Sequence, residues 1–582
     1  MTTTPVRVPA GGTAQAKVRR LVVYVLLAAL VVIAANGAGG LLERALTAGQ
    51  VLAGEGVAGL ALSLAFALVG GPLAALLWWL VWGRLGADDE RAAASWGLYV
   101  SALYTLSLLI STTSLLAAAS SLVTEPQPQW RPPLAVGIVW FLVWVWHRWM
   151  WRHPAKGPLA LAQVPGVIGT TAGLAIGAGA GVAALSGLFD VALRGSMELT
   201  GAADPWWRAV LGNTVWAAGG ALVWWWHWFR GGARKLRRGF ADVALLLAGV
   251  LAAGLLALGG AGTVLFVLLR LAFDRTEALT GLLSPLGAAL AATAVGALVW
   301  RYHRAAARGR SLRVRQAGTL ITSGVALAAA ASGIGVVLNA ALSLAVSPLA
   351  ETPRGEGPGG GSALTLLLGG ISSLAVGGLV WWRTWRPREQ HGTQGVTPGR
   401  RVYLVTVFGL SAAVALVALL VIGYRLFELA LADVTGGSVV DRIRAPLGWL
   451  VAAGLASGHH FSVWRQDKTL KEFTAPAARP RIGRIILVTA ADPEPLRRIL
   501  EEQTGAPVTV WHRASVLPSN AVPTNAFPSG VARPDTAAAD AAPLADDASP
   551  QTLAGALAGI SAPRVLVIAD TPDAAQVIAL RD

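Results

Sequence analysis

The sequence predicts an all-α polytopic membrane protein of about twelve transmembrane helices in repeated hairpins, followed by a small α/β C-terminal cytoplasmic module. Of the 582 residues, 54% are hydrophobic and only 13% are charged, whereas roughly a quarter of a soluble domain is charged. Twelve nearly uncharged apolar runs, each about long enough to span a bilayer, follow one another along the chain. After residue 465 the pattern changes to short β-rich runs around an amphipathic helix.

The chain begins with a basic segment, residues 1–20, which we expect to form a cytoplasmic N-terminus. The first apolar run is longer than the h-region of a signal peptide, about 7–15 residues, so it is predicted to be a membrane helix. Residues 21–465 form the predicted transmembrane domain. Its twelve predicted helices are 21–42, 57–82, 96–123, 133–150, 166–193, 206–229, 240–273, 284–300, 316–347, 362–382, 402–431 and 446–464.

Each even-numbered run contains a valine–tryptophan pair near its end, followed by an arginine; we call this tryptophan the box tryptophan. Indole at the headgroup level and guanidinium in water are typical of the place where a helix leaves lipid. Successive box tryptophans are 62 to 83 residues apart, which predicts duplicated helical hairpins. The predicted membrane-interface anchors are Trp82, Arg84, Trp144, Arg148, Trp224, Arg230, Trp300, Arg301, Trp381, Arg383, Trp464 and Arg465.

Basic residues are concentrated on one predicted side of the membrane. Most of the 47 lysines and arginines lie in residues 1–20 and in the loops after even-numbered runs, above all in 230–238, 301–315 and 383–401. Because excess positive charge marks the cytoplasmic side, both termini are predicted to be cytoplasmic, in a bacterial inner membrane. The same loops favour anionic lipid. The net charge of +16 is therefore explained by the basic residues of the predicted cytoplasmic segments, and no nucleic acid partner is expected.

Polar residues recur near the opposite ends of the odd-numbered runs. Ionisable groups inside a membrane span are candidates for a transport path because their burial is costly. Locally paired charges are the favoured interpretation, because helix ends escape most of that cost. The candidate intramembrane polar positions are Glu43, Asp190, Arg270, Asn339 and Glu428, and the oppositely charged neighbours of the four charged ones are Arg44, Arg194, Asp274 and Arg425.

Histidine follows the box tryptophan by three residues in three of the runs, at His147, His227 and His303. Metal or haem would need clustered ligands, but His459 and His460 are adjacent and point to different helix faces, and the chain has no cysteine. Hydrogen bonding at the interface is therefore favoured over ligation. No phosphate-binding loop or nucleophile elbow occurs, so we predict no catalytic residue, no metal and no cofactor.

Small residues at helical spacing predict close helix packing. On the fifth predicted helix these are Gly173, Gly177 and Gly181, and on the tenth they are Gly369, Ser373 and Gly377.

The tail, residues 466–582, is predicted to be cytoplasmic and to hold a small α/β module of about three strands. A proline- and alanine-rich linker, about 516–550, is predicted to be disordered. Residues 575–580 fit either a helix or a return strand. The predicted elements are a strand at 484–489, a helix at 494–503, a strand at 507–511, a short helix at 553–560 and a strand at 564–569.

Several short stretches resemble those of uncharacterised bacterial multi-pass proteins with tandem copies of DUF5671, a domain of unknown function. The resemblance spans residues 18–465 and implies four-helix units, of which twelve helices would make three. It implies no activity and no catalytic residue. The stretches that carry it are Arg19-Arg20 with Val23-Tyr24, Gly71-Pro72 through Trp78-Trp79 to Arg84, Glu90-Arg91 to Tyr99, and Arg400-Arg401-Val402-Tyr403.

The favoured function is that of a non-enzymatic integral membrane scaffold or sensor that presents its C-terminal module to a protein partner. The alternative is a secondary transporter or channel built from internal repeats, in which irregular helices form a site near the midplane. The candidate helix breaks are Pro72, Gly219-Gly220 and Gly377-Gly378.

Overall fold

The computed structural model of the chain is mostly helical, and it divides into two compact units, Met1–Trp464 and Arg465–Asp582. The residues that the structure describes are 11–48, 57–194, 205–237, 239–275, 277–346, 363–385, 398–431, 439–474, 482–490, 492–512, 557, 560, 562–571 and 574–580. The predicted linker at 516–550 and most of the short helix predicted at 553–560 lie outside them.

The helices of the described residues are numbered along the chain. They are α1 (Gly11–Thr47), α2 (Val57–Ala65), α3 (Gly71–Arg84), α4 (Asp88–Ala92), α5 (Ala94–Thr124), α6 (Arg131–Trp151), α7 (Val164–Arg194), α8 (Trp206–Trp225), α9 (Phe240–Ala244), α10 (Ala253–Phe273), α11 (Leu279–Leu283), α12 (Leu286–Arg308), α13 (Leu312–Val346), α14 (Ala363–Trp385), α15 (Pro398–Leu431), α16 (Val439–Thr474) and α17 (Glu494–Thr504). Three π-helical segments continue their neighbours: π1 (Phe66–Gly70), π2 (Trp226–Arg230) and π3 (Leu245–Ala252).

Ten helical stretches of the described chain are long and apolar enough to cross a membrane. They match ten of the twelve predicted spans, two of them apart from one terminal residue. The other two, 206–229 and 446–464, are also helical but do not reach the same apolarity, because α8 includes Arg208 and Asn213 and α16 carries adjacent histidines. A multi-pass membrane protein is supported, whereas the number twelve stays a prediction.

The helices do not always end where the apolar run ends. Helix α12 continues from Trp300 to Arg308, and α16 continues from Trp464 to Thr474. Alanine, arginine and lysine in these extensions favour helix without being apolar. The box tryptophan therefore marks the end of the apolar surface, not the end of the helix.

Neighbouring long helices pack as antiparallel pairs, α5 with α6, α7 with α8, α10 with α12 and α13 with α14. The direction is clear in α7 and α8, where Gly173 lies against Trp224 and Gly177 lies one turn further along against Gly220. Each first helix also packs on the second helix of the following pair: α5 on α8, α7 on α12 and α10 on α14. One packing relation therefore recurs from α5 to α14 in the first unit, Met1–Trp464, which we call the membrane unit.

Glycine makes the closest of these contacts possible. A Cβ atom on Gly177 would lie 2.9 Å from the backbone nitrogen of Ala221, which is closer than real Cβ atoms approach, so only glycine fits. The predicted third member of this face, Gly181, instead faces Val295 at 4.0 Å. On α14 the predicted Gly377 and Ser373 do contact α13: a Cβ on Gly377 would lie 2.6 Å from the Ala330 nitrogen, and the Ser373 hydroxyl donates to the Ala329 carbonyl at 2.8 Å. The predicted Gly369 does not, whereas its neighbour Gly370 does, with a Cβ 2.8 Å from the Val337 nitrogen. Neighbouring residues of a helix point in different directions around its axis, so a shift of one residue faces a different neighbouring helix.

The predicted breaks at paired glycines are wrong. Gly219-Gly220 lies inside α8 and Gly377-Gly378 lies inside α14, and both helices run through without interruption. Close packing replaces the missing side chains: Gly377 contacts the backbone of α13 at Ala330. Irregular backbone does precede Pro72, where π1 joins α2 to α3. Proline has no N–H to give to the preceding turn, which favours such a local change of hydrogen bonding.

The C-terminal unit is a four-stranded sheet with the order β2-β1-β3-β4. The strands are β1 (Ile482–Thr489), β2 (Val508–His512), β3 (Ala562–Thr571) and β4 (Ala574–Leu580). Strands β1, β2 and β3 are parallel, and β4 returns antiparallel to β3. The open choice for residues 575–580 is therefore settled as a strand, and the sheet has one strand more than expected.

One face of this sheet is well covered. Ile485, Leu487 and Val567 are fully buried beneath Leu500 of α17 and Leu557. Successive side chains of a strand point to opposite faces, so their sequence neighbours form the second face. That second face carries Ile486, Val488, Trp511, Leu566, Ile568 and Ile578, all of them half-buried or exposed.

Candidate functional site

Aromatic side chains pack between helices near the box tryptophans, at the end of the membrane unit that we call the tryptophan end. Trp82 stacks on Trp149 of α6 with ring centroids 4.9 Å apart. Trp224 meets Tyr302 of α12 at 5.6 Å. A second cluster is formed where Trp385 of α14 lies 5.3 Å from Tyr403 of α15 and 5.2 Å from His460 of α16. The tryptophans therefore act first as contacts between helices.

Trp144, Trp224, Trp300 and Trp381 turn their indole nitrogens inward. Each of these nitrogens is buried; those of Trp224 and Trp300 have no hydrogen-bond partner among the described residues, whereas Trp144 and Trp381 lie within reach of the Tyr104 and Tyr403 hydroxyls. An indole at a headgroup would keep its N–H in polar surroundings. Their role as interface anchors stays a prediction, and the packing role is what the geometry adds.

The six arginines predicted with the box tryptophans differ in their surroundings. Arg84, Arg230, Arg301, Arg383 and Arg465 are exposed. Arg148 is half-buried, with its guanidinium carbon 5.7 Å from the centroid of Trp144 and 5.0 Å from that of Trp226. This double cation–π contact joins α6 to π2.

The three histidines that follow the box tryptophans share one backbone contact. Nδ1 of His147, His227 and His303 lies 2.8, 2.8 and 2.9 Å from the carbonyl oxygen four residues earlier. His460 repeats the contact at 2.8 Å, and Thr384 uses its hydroxyl in the same way at 2.9 Å. Each histidine is thereby fixed in one orientation on its helix.

Tyrosine hydroxyls from a neighbouring helix lie within hydrogen-bond distance of the second ring nitrogen, Nε2, in two of these histidines. Nε2 of His147 lies 3.2 Å from the Tyr99 hydroxyl. Nε2 of His227 lies 2.8 Å from the Tyr104 hydroxyl. Both tyrosines belong to α5, so one helix supplies partners to both α6 and π2. The favoured interpretation of the histidines as hydrogen-bonding groups agrees with these contacts.

A small cavity lies beside the third histidine, among α7, π2, π3 and α12. Its volume is about 30 Å³. Apolar side chains form most of the wall, and its polar lining comes from Thr170, Thr171, His303 and Arg310, with Trp228 on one side. His303 is only 3% exposed, and no group of the described chain donates to or accepts from its Nε2.

A buried ion pair borders this cavity. The Arg310 guanidinium contacts the Asp242 carboxylate, and the Arg310 side chain is 4% exposed while that of Asp242 is 18% exposed. The pair joins the start of the α9–π3–α10 stretch to the loop after α12. Neither residue stands out in the sequence, because Asp242 lies at the start of the predicted span 240–273, Arg310 is one of many basic residues in 301–315, and 68 residues separate them.

The predicted polar positions lie at the other end of the helices and do not form one site. Arg270 is 3.2 Å from Asp274, which confirms that predicted pair, and Asp274 also accepts from Thr365 of α14 at 2.6 Å. Asn339 accepts from Arg444 of α16 at 3.1 Å.

The remaining predicted polar positions are also separate. Asp190 lies against the backbone of α12 at Gly287, whereas the side chain of its predicted partner Arg194 is outside the described residues. Glu428 is 2.8 Å from Arg425, which confirms the second predicted pair. Glu43 is half-buried near the end of α1. These groups tie neighbouring helices and turns together, and they do not converge.

In the part of the chain that the structure describes, no group of three His, Cys, Asp or Glu side chains is placed to hold a metal ion. The tyrosines of α5 and the Asp242–Arg310 pair are the residues that sequence reasoning missed. The only signal in the sequence is the occurrence of Tyr99 and Tyr104 five residues apart in α5. It does not identify His147 and His227 as their partners.

Comparison with known proteins gives one match. Residues 349–455 contain a domain of the family described as Domain of unknown function (DUF5671). The matched stretch covers α14, α15 and the first half of α16. No curated protein and no solved structure matches the chain.

Proposed function

We propose that the chain is a non-enzymatic scaffold or sensor of a bacterial inner membrane. In this proposal, twelve helices form repeated hairpins, and the basic loops at the tryptophan end face the cytoplasm and anionic lipid. The C-terminal unit lies on the same side and binds a protein partner. The matched DUF5671 domain is one of three four-helix units of this kind.

The recurring packing relation supports the repeat. Three consecutive first helices contact both their own partner and the second helix of the following pair. The same offset joins α13 to α16, where Asn339 meets Arg444. Duplication of a hairpin produces such a regular arrangement, because each copy presents the same surfaces to its neighbours.

The second face of the C-terminal sheet is the observation that carries the proposed partner. Parallel sheets are normally covered on both faces. Here Trp511 is 59% exposed, and the half-buried Val488 pairs with it in the register of β1 and β2. An exposed patch of aromatic and aliphatic side chains is typical of a surface that another protein covers.

Affinity purification in mild detergent tests the proposed partner. We expect a stable partner to copurify with the full chain and to be lost on deletion of residues 466–582 and on Trp511→Ser substitution. The control is Arg498→Ser, a change of an exposed residue on α17, away from the second face. A purification without any specific partner, or one that is unchanged by deletion of the tail, would sink the scaffold proposal.

The proposed orientation can be tested by single cysteines, because the natural chain has none. Gly309 lies in the loop between α12 and α13, and Gln127 lies between α5 and α6; both are exposed. Since positive charge favours the cytoplasmic side, a membrane-impermeant maleimide should label Gln127→Cys in intact cells and Gly309→Cys only after lysis. The reverse labelling pattern would refute the orientation. A reporter fused at Asp582 gives an independent check.

A secondary transporter or channel remains the second candidate, for one reason. Segments π2 and π3 both line the cavity beside His303, and π-helical turns are frequent at functional sites. Solute flux or conductance by the purified protein in liposomes, abolished by His303→Phe, would favour transport over the scaffold.

A further inference from the structure

We propose that the cavity beside His303 binds one or two water molecules, one of which donates a hydrogen bond to Nε2 of this histidine. The inference does not depend on the scaffold role. It follows from the tautomer of the histidine, from its two counterparts and from the size and lining of the cavity.

The backbone determines which nitrogen of His303 carries the proton. Nδ1 lies 2.9 Å from the carbonyl oxygen of Val299. A carbonyl oxygen can only accept, so Nδ1 must donate, and in the neutral ring Nε2 is then an acceptor. A buried acceptor of this kind costs free energy unless a donor reaches it.

Three other histidines share the backbone contact of His303, and two of them show what can satisfy Nε2; that of His460 is buried without a partner among the described residues, as that of His303 is. His147 and His227 have the same Nδ1 contact, and a tyrosine hydroxyl stands within 3.2 Å and 2.8 Å of their Nε2 atoms. The cavity beside His303 is lined in part by Leu174 and Gly249, neither of which has a side-chain donor. No tyrosine is among its described lining residues, so a donor for Nε2 has to come from a bound molecule.

The size of the cavity restricts the ligand. A cavity needs about 10–15 Å³ on this measure to hold a water molecule, and this one measures about 30 Å³. A drug-sized ligand or a substrate would need a pocket roughly ten times larger. One or two small molecules of the size of water are the occupants that fit.

The polar lining favours water over a cation of the same size. Thr170 and Thr171 donate their hydroxyl protons to backbone carbonyls 2.8 and 3.0 Å away, which leaves their oxygens free to accept. The Arg310 guanidinium has five N–H donors and gives one to Asp242. A site with both acceptors and donors suits water, which does both. Ammonium can only donate, and Arg310 would repel it.

Solid-state NMR of the full chain in lipid bilayers, with ¹⁵N-labelled histidine, tests this inference. His303→Gln assigns the signals of His303. We expect Nδ1 to be protonated, Nε2 to be unprotonated, and magnetisation to pass from water to Nε2 at short mixing times. The signals of His147 and His227 serve as internal controls, because their Nε2 atoms face tyrosine hydroxyls and should show no such transfer.

Three results would overturn the inference: a protonated Nε2 at His303, an unprotonated Nε2 without transfer from water, or displacement of the water signal by added ammonium. The last result would identify the site as one for ammonium. Because the wild-type chain is measured, a variant that fails to fold cannot produce these outcomes.

Discussion

Replacement of Gly177 by leucine is expected to disrupt the packing of α7 on α8 and to lower the stability of the membrane unit severely. Even a Cβ atom at this position would lie 2.9 Å from the Ala221 nitrogen and 3.1 Å from the Gly220 carbonyl carbon. These are backbone atoms, which cannot turn aside as a side chain would. Overpacking of a close contact costs about 1–3 kcal/mol, occasionally more, and leucine adds three further carbons.

The control for this prediction is two residues away on the same helix. Gly179 is exposed, and a Cβ there would have nothing within 4 Å. Gly179→Leu also replaces one glycine of α7 by leucine, so helix propensity and hydrophobicity change equally in the two variants. Thermal unfolding in detergent, followed by size-exclusion chromatography, should show a large loss for Gly177→Leu only. Equal stability of the two variants would contradict the packing described for α7 and α8.

The sequence predicted the helices well because apolar length is a local property. Twelve runs were found, and each is helical, since a long uncharged run has few other stable structures in lipid. Strands β1, β2 and β3 were found for a related reason, namely short β-branched runs around an amphipathic helix. The extension of α16 to Thr474 was missed because polar residues can continue a helix beyond its apolar surface.

Contacts between helices were predicted less well, because they depend on direction around the helix axis. The small-residue pattern correctly indicated Gly173, Gly177 and Gly377 as packing positions. It also chose Gly369, where the neighbouring Gly370 makes the contact with α13. One residue corresponds to about 100° around a helix, and a stripe of small residues does not determine this angle. The paired glycines were misread for a different reason. A residue without a side chain permits either a break in the helix or a close approach of a neighbouring helix, and the sequence does not distinguish the two.

The candidate site was the least predictable part. His303 was recognised by its place after Trp300, but its surroundings come from α7, π2 and π3, far away in sequence. Tyr99 and Tyr104 lie on one helix and contact histidines on two other helical segments. Residue spacing along the sequence does not predict such contacts between helices. Local pairs such as Arg270 with Asp274 were predictable, since both partners lie within one helical turn.

Loss of the buried ion pair near the cavity is the second large effect that we expect. Asp242→Ala leaves the Arg310 guanidinium, whose side chain is 4% exposed, without the carboxylate that it contacts. Removal of one partner from a buried pair typically costs about 3–5 kcal/mol. The expected result is a chain with a much lower unfolding temperature in detergent. The measurement is the same thermal unfolding assay.

A double variant distinguishes two contributions to stability: the loss caused by leaving the Arg310 charge unpaired, and the net stabilisation by the ion pair itself. Asp242→Ala combined with Arg310→Met removes both charges and keeps an apolar side chain of similar length, so it should recover most of the stability lost in the single variant. Glu428→Ala is the matched control: it breaks the Arg425–Glu428 pair, whose side chains are 44% and 30% exposed, and should change little because water replaces the lost partner. If Asp242→Ala were as stable as Glu428→Ala, water would have to replace the carboxylate at Arg310, either from the cavity that this residue lines or through a looser loop between α12 and α13.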